Sequence, residues 1–503
     1  MSVVADVRNR PQPTGRVRSV IAGVQVAERP GATELPIINP ATEQTISVLQ
    51  EADAGEVDAA VRAARDAFDR GTWPRLPLDD RKDILYRIRD LLRSHFEELA
   101  YLECLNAGLP IVRVREQLGR AARNFEFFAE VASNVAGQTY TGNRSHLTYV
   151  TREPKGVGAL IAPWNAPLAL ASMRVATCIA FGNTCVLKPS EYTPLSILRM
   201  VEVFHEAGLP AGVVNLVNGR GSVTGAALVE HPGIDMVAFT GGTQTGRTIM
   251  ATAGRHLKPC ILELGGKSAN IIHESADLER ALDGALASIY SNNGQQCLAG
   301  SRILVQRSIA DRFIAAFVER ARRIRIGDPL QPETELGPLC FREHLERVLS
   351  YVKVAVSDGA KLLTGGQRAP GFSKGYYMEP TAVLAPSNAA RVCQEEIFGP
   401  FATILVYDTV DQAIEIANDS PYGLVAYVWA GDLDVTMRCS RDIRAGTVWV
   451  NMPMVRDLRA PFGGFKQSGI GRDGATSSVE FFTELKTTMI PVDASVLPGL
   501  GKK

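Results

Sequence analysis

One cysteine in this chain has neighbours that suit a reacting group better than a core. Cys297 stands in the stretch Ser291 to Arg302, SNNGQQCLAGSR, where Gln295, Gln296 and Ser301 are poor core formers and no apolar alternation would bury the run. A helical pattern of Leu278, Ala281, Leu282, Ala285, Leu286 and Ile289 ends just before it, and Gly294 permits a tight turn. Cys297 is therefore expected on a loop. In a chain that is 46% hydrophobic a cysteine is ordinarily a small core residue, and the amide-rich surroundings set this one apart. A thiol attacks a carbonyl only as thiolate, and its free pKa of ~8.5 means that it needs help or a good electrophile. No histidine lies within twenty residues of it, and no CxxC or HExxH occurs, so no metal site is expected.

Three further features suit the same chemistry. Glu263 closes an apolar run in ELGGK, where Gly265 and Gly266 are expected to let the backbone turn sharply and project the carboxylate into a cleft as a general base. A carboxylate in that position is otherwise a solvated or helix-capping group. Asn165 sits between Pro163 and Pro167, and its amide can donate to an oxygen that gains negative charge; alone it would read as an ordinary turn residue. The run FTGGTQTG, from Phe239 and Thr240 through Gly242 to Gly246, lies between a strand pattern and a helix pattern and offers free amides to a pyrophosphate. Gly219, Gly221 and Gly225 form a weaker glycine echo. Lys188 and Glu191 follow another strand pattern and can hold ribose hydroxyls; a carboxylate there would repel a 2′-phosphate and favour NAD over NADP.

The elements that must carry these residues follow a regular rhythm. Short apolar runs at 156–161, 184–188, 213–217, 236–239 and 260–264 alternate with helical segments, which implies a doubly wound parallel sheet. Ligands of such sheets sit beyond the carboxyl ends of the strands. Before it, a mostly helical region to about residue 133 includes helices at 83–95 and 117–131, and residues 1–35 read as an extended arm with a short hairpin. After it come a helix at 276–290, a strand at 302–306, a helix at 309–325, a Gly- and Pro-rich region at 327–400, and strands at 423–430 and 446–452. An apolar strand ends the chain at FFTELKTTMIPV, and such a strand often pairs with a partner subunit.

At 503 residues the chain can bury a large core in two or three domains. Lys plus Arg and Asp plus Glu are equal at 54 each, which argues against nucleic acid or an acidic membrane as partner. Eight cysteines without a paired framework suit a reducing compartment, and no apolar run approaches the roughly 18 residues of a membrane helix. Arg8, Arg10, Arg16 and Arg18 hint at a presequence, but Pro11 and Pro13 break any amphipathic helix there, so a cytoplasmic protein is expected.

With these residues assembled, the sequence resembles the NAD(P)-dependent aldehyde dehydrogenase superfamily from about Ile38 to Thr487. The resemblance is carried by PWNAP, KPSE, FTGGTQTG, ELGGK, GQQCLAGSR, EEIFGP at 395–400 and PFGGFKQSGIGR at 461–472, seven motifs in the family's order. It implies an α/β fold with an NAD-binding domain over 17–133 and 156–263, a catalytic domain over 264–475, and a small oligomerisation arm over 134–155 and 476–495, in a homodimer or homotetramer. It also implies that Cys297 adds to an aldehyde, that Asn165 and the Cys297 N–H hold the oxyanion, that hydride passes to NAD, and that Glu263 activates water to hydrolyse the thioester to an acid. Trp164, Lys188, Glu191, Gly242, Glu396 and Phe398 match the family's cofactor contacts, with Gly221, Gly225, Phe239, Thr240 and Leu264 in the same motifs. Two positions depart from the family pattern: Arg174 stands for a lysine and Asp473 for a glutamate, both linked to proton relay.

VRDLRAPFGG at 455–464 and GRAARNF at 119–125 resemble the hydroxymuconate and carboxymethyl-hydroxymuconate semialdehyde branch, in which arginines matching Arg120 and Arg456 meet the substrate carboxylate. The alternative leaves Arg120 on a helix surface, pairs Arg456 with Asp457 or a neighbouring acid, and makes the chain a broad-specificity enzyme for neutral aldehydes. A CoA-acylating relative would have little use for Glu263, and a non-catalytic protein on this scaffold would be expected to lose Cys297 or Glu263. A short-chain dehydrogenase would need a Tyr with Lys four residues on, and none of the twelve tyrosines has one.

Overall fold

Five parallel strands, Val157–Ile161, Thr184–Lys188, Val214–Leu216, Met236–Thr240 and Cys260–Glu263, form the centre of an eight-stranded sheet. Val157–Ile161 and Thr184–Lys188 are buried along their whole lengths, as strands covered on both faces must be. The computed structural model describes residues 15–492 and 499–501; Arg8 and Arg10, and residues 493–495 of the expected arm, lie outside them.

The chain runs from Val157–Ile161 outward through Thr184–Lys188 to Val214–Leu216, then returns to the other side for Met236–Thr240 and Cys260–Glu263. The order reverses between Ile161 and Met236, so the loop after Ile161 and the loop after Thr240 part at a topological switch point. Asn165 lies on the first loop and Gly242 on the second. The helix Ala54–Asp69, capped by Asp53 accepting from the Glu56 amide, buries Val57, Ala60, Val61, Ala64 and Ala67 against one face. On the other face the helix Pro167–Ala180 is buried along nearly its whole length between the sheet and the helices Leu78–Ser94 and Ile111–Ser133.

A second sheet of seven strands follows, with Ala269–Ile272 and Arg302–Gln306 at its centre and Val425–Trp429 and Phe401–Tyr407 beside them. Only five residues, 264–268, separate Glu263 from this sheet. A short strand, Gly469–Ile470, crosses back and pairs antiparallel with Leu262 and Glu263. The end of the first sheet and the start of the second are thereby held as neighbours.

Several boundaries differ from the sequence reading. The helices at 83–95 and 117–131 are longer, Leu78–Ser94 and Ile111–Ser133, and Phe96–Ala107 is a third. Pro77 and Pro110 stand at the cap positions where proline is tolerated, so they start these helices rather than exclude them. The Gly- and Pro-rich region 327–400 contains the helix Arg342–Ser357 and the strands Lys361–Thr364 and Thr381–Leu384; the glycines and prolines sit between these elements. The terminal strand Thr483–Pro491 pairs antiparallel with His146–Pro154 of its own chain over nine residues, and its other edge is open. Among the described residues no helix is long and apolar enough to cross a membrane.

Candidate active site

The cysteine loop is shaped by three consecutive left-handed residues. After the helix Leu278–Tyr290 and Ser291, Asn292, Asn293 and Gly294 have φ of 55°, 58° and 70°. Asparagine tolerates this region because its short amide can bond locally, and here the amides also bond at a distance. Asn292 Nδ2 donates to the carbonyls of Asn165 (2.9 Å) and Gln295 (3.0 Å), and its Oδ1 accepts from Gln117 Nε2 (2.7 Å). Asn293 Nδ2 donates to the carbonyls of Gly108 and Pro338, both at 2.9 Å, and its Oδ1 accepts from the Gly337 amide. Gly294 is needed twice: for its φ, and because a Cβ there would lie 2.2 Å from the Gly399 carbonyl carbon. Tyr427 closes the far side, its hydroxyl donating to the Leu298 carbonyl at 2.7 Å. None of Gln117, Asn292, Asn293 and Tyr427 was singled out in the sequence. The paired asparagines before a glycine were the available signal.

Cys297 is partly exposed on this loop. Burial of the sulfur among protein atoms, reinforced by the negative charges of Glu396 and Glu263, pushes its thiol up to about 12; Arg456 opposes them. The resting sulfur is a thiol, and its proton needs an acceptor during any attack.

Glu263 is a candidate, since its charge acts on the sulfur. It is buried, its Oε1 has no hydrogen-bond partner among the described residues, and desolvation followed by the charge of Asp473 raises its pKa well above the ordinary carboxylate value. The glycines behind it act differently from the sharp turn expected of them, since neither Gly265 nor Gly266 has a positive φ. They allow close approach. A Cβ on Gly266 would lie 2.6 Å from the Cys297 carbonyl oxygen, and one on Gly265 would lie 2.2 Å from the Glu396 carboxylate. That carboxylate accepts from the Gly266 amide at 3.0 Å and, by burial, is itself pushed up to about 7. Leu264, also buried, is tied by its amide to the Ser468 carbonyl.

Asn165 is buried beside the same loop and gives one N–H to the Gln295 carbonyl at 2.9 Å, so its second N–H is available to a reacting oxygen. Its neighbour Trp164 packs edge-on against Phe341, His344 and Phe398. Phe398 has a φ of 64°, and its carbonyl faces His344 Nε2 at 2.6 Å.

Arg456 stands next to this centre. Its guanidinium lies 4.1 Å from the Phe462 ring, and Nη2 is buried without a hydrogen-bond partner among the described residues. The pairing with Asp457 is not formed, since Asp457 binds Arg459 at 2.7 Å; the acids whose charges act on Arg456 are Asp473 and Glu263. Arg120 is exposed on the helix Ile111–Ser133 and near enough to Arg456 for the two positive charges to repel one another. The two departures from the family pattern meet each other. Arg174 and Asp473, 299 residues apart, form a buried ion pair, and Arg174 Nη2 also donates to Thr240 Oγ1 at 3.3 Å.

The remaining candidates flank the switch point on both sides. Lys188, buried, donates to the Pro189 carbonyl at 2.8 Å and lies 3.7 Å from Glu191. Gly225 lies against its stem, since a Cβ there would be in ordinary contact with Lys188 Cδ at 3.4 Å. Gly221 and Gly242 face open space, where a Cβ would meet nothing within 4 Å, and Gly242 caps the helix Thr243–Arg255. Phe239 is buried beneath that turn, its ring 2.4 Å from where a Gly241 Cβ would be. Backbone amides at a helix start, two glycines open to solvent and a buried lysine beside a carboxylate fit a pyrophosphate followed by a ribose diol.

A family model described as the aldehyde dehydrogenase family matches residues 27–488. The chain is 44% identical over 442 residues to 5-carboxymethyl-2-hydroxymuconate semialdehyde dehydrogenase of Escherichia coli, covering 87% of this chain and 93% of that protein. It is 41% identical over 483 residues to 2-hydroxymuconic semialdehyde dehydrogenase of Pseudomonas sp. (strain CF600), covering 94% and 99%. The NAD+ complex of an aldehyde dehydrogenase from Bacillus cereus matches with a TM-score of 0.92 at 40% identity, covering 95% of this chain and 97% of that one.

The Arg174–Asp473 pair should set the proton affinity of Glu263. Asp473 raises it and Arg174 lowers it. In infrared titrations read against Glu263→Gln, Asp473→Asn should move the Glu263 midpoint to lower pH and Arg174→Ala to higher pH. Midpoints that coincide with wild type would show that burial alone fixes this carboxylate.

Proposed function

Because the chain belongs to the aldehyde dehydrogenase family, we propose that it oxidises an aldehyde to a carboxylic acid with NAD, and that its aldehyde carries a carboxylate of its own. Cys297 Sγ bonds to the aldehyde carbon while its proton leaves toward Glu263. The oxygen, now anionic, takes hydrogen bonds from the free N–H of Asn165 and from the Cys297 backbone amide. Bound NAD supplies the hydride acceptor that turns this adduct into a thioester. Once it has passed that first proton to solvent, Glu263 removes a proton from water, the hydroxyl adds to the thioester carbon, and the acid departs as the Cys297 sulfur takes the proton back. A carboxylate with a raised pKa suits both proton transfers, being basic enough to accept and acidic enough to return.

Lys188 and Glu191 would hold the ribose of NAD, with Gly221, Gly225, Thr240 and Gly242 lining its phosphates and Trp164, Phe239, Leu264, Glu396 and Phe398 its remaining length. The units of this reading are residues 17–133 with 156–263 for NAD, 264–475 for the cysteine, and 134–155 with 476–495 for assembly of two or four identical chains. Free thiols at all eight cysteines support a cytoplasmic setting.

The observation that carries the substrate is Arg456. A buried guanidinium nitrogen without a partner, beside the sulfur and next to a second arginine, is costly in the free protein. A substrate carboxylate relieves both costs through a bidentate pair. This favours a muconate-type semialdehyde over the broad-specificity reading for neutral aldehydes.

Two outcomes are expected. Glu263→Gln should slow turnover about a hundredfold or more, with a covalent acyl-enzyme on Cys297 seen by mass spectrometry, while Cys297→Ala forms no NADH; an unchanged rate in either would remove that residue from the reaction. Arg456→Ala should cost about ten- to a hundredfold in kcat/KM with a carboxylate-bearing semialdehyde and little with a neutral aldehyde of similar size. Equal losses with both would return Arg456 to a structural role.

A further inference from the structure

Behind Lys188 and Glu191 two more charges complete an alternating set of four. Glu51, buried at the end of the strand Gln44–Gln50, receives Arg220 at four points: Nε at 2.9 and 3.2 Å from its two oxygens, Nη2 at 2.6 Å, and the Arg220 backbone amide at 2.8 Å. Arg220 is about half-exposed and stands in the turn between Gly219 and Gly221. Glu51 and Lys188 are close enough to affect one another's charge, and the Glu191 charge acts on Arg220. The backbone around Glu51 is fixed independently of its carboxylate. Its carbonyl accepts from Arg29 Nη2 (2.8 Å), and the next residue bonds Asn218 through its amide (2.7 Å) and Thr224 through its carbonyl (2.9 Å). Gly219 is also required here, because a Cβ would lie 2.0 Å from Thr224 Oγ1 and 3.0 Å from Glu51 Cγ.

Discrimination against a 2′-phosphate has two parts. A carboxylate at the ribose, Glu191, repels it. A cation within reach would attract it, and a guanidinium is the side chain best matched to phosphate oxygens. Arg220 is such a cation, already occupied on its forked face. We propose that Glu51 is a specificity-determining residue: by engaging Arg220 it withholds that guanidinium from the 2′-position of the adenosine ribose and sharpens the preference for the unphosphorylated dinucleotide. The proposal rests on the assignment of Lys188 and Glu191 to the ribose.

The test is direct binding. Isothermal titration calorimetry would compare adenosine 2′,5′-bisphosphate with AMP, and NADP with NAD, in wild type, Glu51→Gln, Glu191→Gln, the double variant, and the double variant with Arg220→Ala. Glu51→Gln should raise the affinity ratio of adenosine 2′,5′-bisphosphate over AMP about tenfold. The double variant should exceed either single one, and Arg220→Ala should cancel the part that Glu51→Gln contributed. A ratio that responds to Glu191→Gln but not to Glu51→Gln, or a gain that survives Arg220→Ala, would overturn the proposal. NAD affinity indifferent to both Lys188→Ala and Glu191→Gln would remove the ribose assignment, and the proposal with it.

Discussion

Everything at the reaction centre depends on two stretches of backbone lying closer than any side chain would allow. The Cys297 carbonyl sits where a Gly266 Cβ would be, and the Gly399 backbone sits where a Gly294 Cβ would be. The first contact joins the turn after the last parallel strand of the first sheet to the loop before a central strand of the second, and the other ties that same loop to the residues before the strand Phe401–Tyr407. Sulfur and carboxylate are thus placed by main chain, the stiffest material available, rather than by the packing of flexible side chains. The cross-strand from Gly469 to Ile470 repeats the logic from the other side, fixing Leu262 and Glu263 through backbone hydrogen bonds.

Around that frame the charges are arranged by desolvation first and by pairing second. Glu263, Glu396 and Cys297 are each shifted toward the protonated form chiefly by burial, while Arg174 and Asp473 neutralise one another close by. An arginine holds its proton, so Arg174 enters this pair as a fixed positive charge.

The candidate residues could be picked out in the sequence because each stands in a local signal. Cys297 has amide-rich neighbours, Glu263 ends an apolar run before two glycines, and Asn165 lies between prolines. The parallel sheet was legible from fully apolar runs. What holds these residues was not. Asn293 bonds to Gly108 and Pro338, and Arg174 to Asp473, across distances in the chain that no local pattern encodes. The region 327–400 hid a helix and two strands because its glycines and prolines mark their ends, and a reading of composition averages over both. The role of Gly266 was misassigned for a related reason: a missing Cβ looks the same in sequence whether it frees a torsion angle or makes room for another strand of chain.

The clamp on Asn293 bears on the chemical lifetime of the protein. Asn293 is followed by glycine, the neighbour that least hinders attack of the next backbone nitrogen on the side-chain amide, the ring closure that leads to deamidation. In the folded chain that amide carbon cannot swing into position, since its nitrogen is held by two carbonyls and its oxygen by the Gly337 amide. The most labile peptide unit of the cysteine loop is therefore protected for as long as the surrounding structure stays closed. Ageing of the loop is gated by local opening, so its rate follows the stability of the fold and not the intrinsic reactivity of the Asn–Gly unit.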